Sequence, residues 1–212
     1  MKIIEIRSLA IPDIKIIRFG RFADNRGYFT ELLKLSDFNT LPELSFVKGM
    51  KFPQINESFS HKNVVRGLHF QWNPHMGKLV RVGNGHIVDI ALDIRKNSPY
   101  EGKVVGYEMQ TNDENDYQEW IWIPSGFAHG AYFLAETRLV YCCTGEYSPN
   151  FERSISPLAE DVDWSMCDPT LKNTIDKVNN NKPIISDKDR EGLTLTQWKN
   201  KTDSENFIYG KI

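Results

Sequence analysis

The feature that most constrains this chain is a succession of short apolar and β-branched runs, each closed by a turn signal. Ile14 to Phe19, Tyr28 to Leu35, Asn63 to Gln71, Lys78 to Val82, His86 to Ile94, Val104 to Met109, Trp120 to Ile123 and Arg138 to Tyr147 all have strand character. Between them stand Asp24-Asn25-Arg26-Gly27, Gly83-Asn84-Gly85, Asn97-Ser98-Pro99 and Pro124-Ser125-Gly126, which bend the backbone. Helical signals are few: one or two turns at Ser36 to Leu41, and a segment from Asp187 to Lys199. The polar, Asn-rich stretch Lys172 to Lys182 reads as a loop. Many short strands at this spacing predict an antiparallel all-β fold, sandwich or barrel.

A chain of 212 residues suits one domain, and residues 150–212 read as an irregular, partly helical extension of it. The net charge of -2 lacks the basic footprint of a nucleic-acid binder. Three cysteines, Cys142, Cys143 and Cys167, are neither a disulfide framework nor a zinc spacing. No signal-peptide or membrane-spanning pattern is visible, so the cytoplasm is the expected compartment and no membrane partner is expected.

Four segments concentrate chemistry. In Val65-Arg66-Gly67-Leu68-His69-Phe70-Gln71, strict alternation puts Gly67, His69 and Gln71 on one face and Arg66 on the other. A bulge at Gly67 offers a way to re-aim Arg66. The plain alternative is a structural histidine beside a surface arginine. Lys78 and Arg81 suit a phosphate or an oxyanion, or simply a solvated strand face. His129 follows the turn after Ile123 and reads either as functional or as capping that turn. Tyr141 and Tyr147, six residues apart, share a face if the strand continues between them, as a pocket floor or as packed core rings. A histidine-bearing β-barrel also raises the question of metal. Position 71, two after His69, is Gln, and His75 and His86 lie on other segments, so no metal-ligand spacing appears.

Taken together the segments resemble the dTDP-4-dehydrorhamnose 3,5-epimerase family. The resemblance is carried in order by Asp24 to Glu31, Gln54 to Ser60, Asn63 to Gln71, Lys78 to Val82, Asp93 to Pro99, Ile123 to Gly130, Tyr141 to Pro149 and Ser186 to Asp189. It implies a cupin-type antiparallel jelly-roll barrel, a strand-exchanged homodimer, and no metal or other cofactor. It implies a nucleotide-linked 4-keto-6-deoxy sugar as substrate, epimerised at C3, C5 or both through an enolate, on a route to rhamnose and surface polysaccharide. His69 is then the base, Asp189 its partner, Tyr141 the acid and Lys78 the holder of the keto oxygen. Arg26 and Arg66 are expected on the diphosphate and sugar, and Tyr147 stacked on the nucleobase. Glu31, Gln54, Asn56, His129, Glu152 and Lys188 fall at ligand-contact positions.

The chain departs from the family pattern at Cys142, where Lys is frequent, in the longer stretch Glu114 to Trp120, around Cys167 to Lys182, and after Glu191. A single-centre epimerase acting on a CDP- or GDP-linked sugar or heptose remains an alternative. So does a non-catalytic sugar-nucleotide-binding protein on the same barrel.

Overall fold

A computed structural model describes residues 1–212. Its strands are β1 (Ile3–Ser8), β2 (Lys15–Gly20), β3 (Phe22–Asp24), β4 (Gly27–Phe29), β5 (Gln54–Ser60), β6 (Val65–Gln71), β7 (Lys78–Asn84), β8 (His86–Asp93), β9 (Val104–Gln110), β10 (Tyr117–Ile123), β11 (Phe127–Phe133), β12 (Thr137–Cys143) and β13 (Glu152–Ser154). The helices are short: α1 (Leu35–Thr40), α2 (Pro169–Asn180), α3 (Asp187–Arg190) and α4 (Leu195–Lys199). No helix is long and apolar enough to cross a membrane.

The strands form a six-stranded sheet in the order β1-β2-β10-β7-β12-β5 and a five-stranded sheet in the order β13-β6-β11-β8-β9, with every ladder antiparallel. The eight strands β5 to β12 divide between the sheets as a jelly roll, four to each. The all-β jelly-roll expectation therefore holds, although the barrel is not closed: no ladder joins the two sheets, which face each other as a sandwich.

Alternation along each strand sends side chains into three apolar layers. Val80, Val82, Ile87, Ala91, Ile121, Phe127 and Leu139 meet between the sheets. Ile17, Leu79, Trp120, Trp122 and Cys142 face out from the larger sheet and are covered by Phe38, Leu44 and Val47. Leu68, Phe70, Val88, Ile90 and Leu92 face out from the smaller sheet and are covered by Ile175, Leu195, Trp198 and Phe207 of the C-terminal region. That region also extends the sheet, because β13 pairs along β6 with Ser154 opposite His69 and Glu152 opposite Gln71.

Several local expectations need correction. Lys172 to Lys182 is not a loop, since α2 occupies most of it. Asp168 caps that helix by accepting from the Thr170 N–H at 2.7 Å, and Ile175 and Val178 anchor it in the core. Its narrow apolar stripe is hidden among asparagines and lysines. The segment from Asp187 to Lys199 is two helices, interrupted around Gly192, where an added Cβ would lie 2.7 Å from the Ser156 nitrogen. The strand expected from Tyr28 to Leu35 stops at Phe29, and the one from Arg138 to Tyr147 stops at Cys143. His129 is inside β11 and not in a turn.

Candidate active site

An open pocket of about 460 Å³ lies between the sheets at the end where β5, β6 and β12 meet. Its walls include His69, Arg66, Lys78, Tyr141, Cys143 and Glu152. The size is in the range of small-molecule sites.

The β6 wall depends on a bulge. Against β11, His69 pairs with His129 and Arg66 with Ala131, so three steps on β6 match two on β11. Gly67 sits at the irregularity with φ +110°, and a Cβ there would lie 2.6 Å from the Gly130 Cα and 2.7 Å from the His129 carbonyl. Only glycine fits this backbone and this approach. The shift of register brings Arg66 to the pocket beside His69 while Leu68 and Phe70 go to the outer core. The Arg66 Nε donates to Ser60 Oγ at 2.9 Å.

His69 is held on both ring nitrogens. Nε2 lies 2.9 Å from Asp189 Oδ1, and Nδ1 lies 2.9 Å from Glu152 Oε1. Burial pushes its proton affinity down, but the bonds to Asp189 and Glu152 outweigh burial and the result is raised. Asp189 stands on α3, whose cap Ser186 accepts from the Asp189 N–H at 3.2 Å. Its Oδ2 accepts from the Gly67 N–H at 3.3 Å. The burial of Asp189 favours its neutral form, yet His69 and these bonds hold its pKa below the usual value. Glu152 behaves alike: burial opposes ionisation, but His69 and Lys188 pull its pKa down to about 2. Its Oε2 accepts from Lys188 Nζ at 2.5 Å and from the Tyr147 hydroxyl at 3.2 Å.

Across the pocket, β12 and its neighbours supply different chemistry. Tyr141 pairs with Asn56 on β5 and with Val80 on β7. Burial raises the pKa of its phenol, against the pull of Arg66 and Asn56. Lys78 pairs with Cys143 in the ladder, and burial lowers the affinity of its amine for a proton, with Cys143, Glu152 and Asp89 opposing. An amine of that kind, in one pocket with a phenol, suits a site where negative charge develops. His129 is buried with Nε2 2.9 Å from Asp89 Oδ2, and the other Asp89 oxygen has no partner.

Tyr147 reaches the pocket by a route that alternation does not describe, since it lies beyond the strand. Its N–H donates to Gln54 Oε1 at 2.7 Å. Gln71 braces the same loop, donating to the Pro74 and Glu146 carbonyls and accepting from the Ser148 N–H. Gln54 also donates to Asn56 Oδ1 at 3.0 Å.

Of the residues expected here, His69, Tyr141, Asp189, Lys78, Gln54, Asn56, Arg66, His129, Tyr147 and Glu152 line the one pocket, with Lys188 attached through Glu152. Arg26 and Glu31 do not. Arg26 is exposed at the β3–β4 turn, paired with its neighbour Asp24, and Glu31 lies against the N-terminal amine. Their segment leaves the larger sheet as a separate two-stranded hairpin, β3–β4, and its continuation. Sequence reasoning missed Ser58, Met76, Cys143 and, behind His129, Asp89. The last had a signal, a carboxylate in the middle of the apolar run His86 to Ile94.

Fold and pocket define a cupin-type jelly-roll protein carrying the groups a proton-transferring isomerase needs. Comparison with known proteins narrows the class. The sequence model of the family described as dTDP-4-dehydrorhamnose 3,5-epimerase matches residues 8–197. A dTDP-4-dehydrorhamnose 3,5-epimerase of Pseudomonas aeruginosa is 38% identical over 185 residues, 87% of this chain and 92% of that protein. One from Neisseria gonorrhoeae is 35% identical over 196 residues, 91% of this chain but only 53% of that protein, so the chain spans about half its length. The crystal structure of dTDP-6-deoxy-D-glucose-3,5-epimerase from Legionella pneumophila Philadelphia 1, in complex with dTDP-4-keto-L-rhamnose, superposes with a TM-score of 0.77 at 34% identity. That match covers 96% of this chain and 97% of the other. The chain belongs to the dTDP-4-dehydrorhamnose 3,5-epimerase family.

Proposed function

We propose that this protein epimerises dTDP-4-dehydro-6-deoxyglucose at C3 and C5, a step of deoxysugar synthesis on the route to rhamnose. The observation that carries the reading is an imidazole backed by carboxylates on one sheet, opposite a phenol and a half-buried amine on the other, in one pocket. A 4-keto group acidifies the hydrogens on both neighbouring carbons. His69 takes one of them, with Asp189 holding the ring and stabilising the imidazolium that forms. The enolate charge collects on the keto oxygen, where Lys78 compensates it. Tyr141 returns a proton from the other sheet, and delivery to the opposite face inverts the centre. Arg66 suits the diphosphate, while Tyr147, Lys188 and Gln54 suit the nucleobase end. The bound dTDP-4-keto-L-rhamnose of the Legionella relative supports this substrate class.

The reading includes a homodimer. Phe22, Tyr28 and Phe29 are large apolar side chains left exposed on the β3–β4 hairpin, Phe29 at 65%. A second copy that received this hairpin would bury them and gain Arg26 and Glu31 for its own pocket. Mixing an Arg26→Ala chain with a His69→Ala chain is expected to restore one complete site per dimer. Unrestored activity, or a monomer by light scattering, argues against exchange. We take the compartment to be the cytoplasm, in keeping with three free, buried cysteines.

The deciding experiment is proton NMR in deuterated water with dTDP-4-keto-6-deoxyglucose. Deuterium at C3 and C5 is the expected result. Exchange at one carbon reduces the reading to a single-centre epimerase. No exchange with the dTDP, CDP or GDP sugars removes the catalytic reading.

A further inference from the structure

The two carboxylates on His69 create a conflict with its use as a base. Ionised carboxylates only accept hydrogen bonds, so contacts of 2.9 Å at both Nδ1 and Nε2 require both nitrogens to carry protons. An imidazolium has no lone pair with which to take a proton from carbon. One partner must release the ring before chemistry starts.

The partners are not equally able to do so. Asp189 is 5% exposed and is fixed through the Gly67 and Asp189 N–H groups to β6 and to the α3 cap. Glu152 is tied on its other oxygen to two groups that face solvent, the Lys188 amine and the Tyr147 hydroxyl, with side-chain exposure of 57% for Lys188. A ligand that reaches Tyr147 and Lys188 therefore also reaches the carboxylate that blocks Nδ1.

We propose that Glu152 is a positioning residue that keeps His69 doubly hydrogen-bonded and protonated until a nucleotide occupies the Tyr147–Lys188 end of the pocket. This rests on the nucleotide-sugar reading given above. On binding, the Glu152 carboxylate turns to a donor on the ligand, the Nδ1 proton passes to solvent, and the freed lone pair faces the sugar. Proton abstraction from carbon then regenerates the imidazolium, with no other reactant required. The device prevents a competent base from standing idle in an empty pocket. It also couples base activation to recognition of the part of the substrate farthest from the reacting carbons.

The groups facing His69 pull its charge in opposite directions, and the carboxylates prevail. Asp189 on α3 and Glu152 on β13 favour its charged form, whereas Lys78 on β7 and burial disfavour it. Arg66 on β6, His129 on β11 with Asp89 of β8 behind it, Tyr141 and Cys143 on β12, Tyr147 and Lys188 complete the charged and titratable surroundings. Removing Glu152 leaves the amine of Lys78 opposed by one carboxylate fewer.

The test is a nitrogen-15 NMR titration of His69 in the free protein and with dTDP, in the native chain and in Glu152→Gln. In the free native protein both ring nitrogens are expected to be protonated at pH 7, and dTDP is expected to remove one proton. Calorimetry in buffers of different ionisation heat then reads a release of about one proton per dTDP. In Glu152→Gln the free ring is expected to titrate about one to two pH units lower, the worth of a charge-assisted hydrogen bond. The release on binding should vanish and the acidic limb of kcat/KM should move down with the titration. A purely structural role would lower activity without moving either. A neutral His69 at pH 7 in the free native protein overturns the proposal, as does a Glu152→Gln titration that overlays the native one. Should the variant not fold, the native spectrum still decides. Failure of dTDP to bind counts against the nucleotide-sugar reading, whereas the free-protein titration judges Glu152 independently.

Discussion

The space between the two sheets has two ends built from the same strands and opposite chemistry. Along β7, Lys78 faces the pocket while Val80 and Val82, on the same face, enter the apolar core. Along β12, Tyr141 and Cys143 line the pocket, and Leu139 belongs to the core as well as to the pocket wall. At the packed end, well-fitted aliphatic side chains supply cohesion. At the open end, buried polar groups cost free energy unless they find partners, and the C-terminal segment provides them: β13 brings Glu152 and α3 brings Asp189. The lesson is that a strand's periodicity tells which residues share a face. What lies over that face decides whether they become core or chemistry.

Substitutions at the two ends should separate cleanly. His69→Ala is expected to lower solvent deuterium uptake by roughly 10²–10⁴-fold, the usual worth of a positioned base, with dTDP affinity nearly intact. Normal exchange in this variant would remove His69 from its role. Lys78→Met is expected to lower kcat by about 10²–10³-fold, as for other groups that stabilise an oxyanion. The same change removes an amine whose charged form its surroundings disfavour, so the melting temperature should hold or rise. A marked loss of stability would make Lys78 structural. Ile121→Ala, at the packed end, is expected to cost about 2–5 kcal/mol of stability and to leave kcat per folded molecule unchanged, as read by denaturant titration beside the assay. Tyr141→Phe is expected to reduce net inversion more than exchange, since a base alone can still wash hydrogen out. Equal effects on both would deprive Tyr141 of the acid's part.

The smallest expected effect concerns pH. The His69 pKa is raised above 6.5 in the folded protein, so its contribution to stability is complete below 6.5 and is lost as pH rises through the folded value. Glu152 is lowered from 4.5 to about 2, so its contribution is complete above 4.5 and is lost as pH falls toward 2. The clamp should therefore stabilise most between these limits. Thermal unfolding of the native chain and of His69→Asn should differ more at pH 5.5 than at pH 9, and an equal difference at both would mean the clamp adds nothing.

The fold class was legible because strand periodicity is a local property: β2, β6 to β10 and most of β12 lie where the alternating runs stand. Strands β1, β5 and β13 escaped because their alternation is weak or brief, and β11 because it is buried on both faces and reads as a turn followed by a histidine. Helix α2 escaped because asparagine and lysine mask three apolar residues at helical spacing, Leu171, Ile175 and Val178. The site was legible only in pieces. The turn-forming glycine at position 67 announced a bulge, and that bulge does bring Arg66 to the side of His69.

What the sequence by itself determined, then, is the set of local facts: which runs are extended, which face each residue takes, and where Gly67 forces the register to slip. Such facts follow from backbone sterics and side-chain polarity within a few residues. Only the tertiary structure decided that Glu152 and Asp189, 83 and 120 positions along the chain from His69, hold its two nitrogens at once. It also decided that Arg26 and Glu31 stand away from the pocket of their own chain. These outcomes depend on how the C-terminal segment returns across β6 and where the β3–β4 hairpin goes, and they are settled by long-range packing that no local pattern encodes.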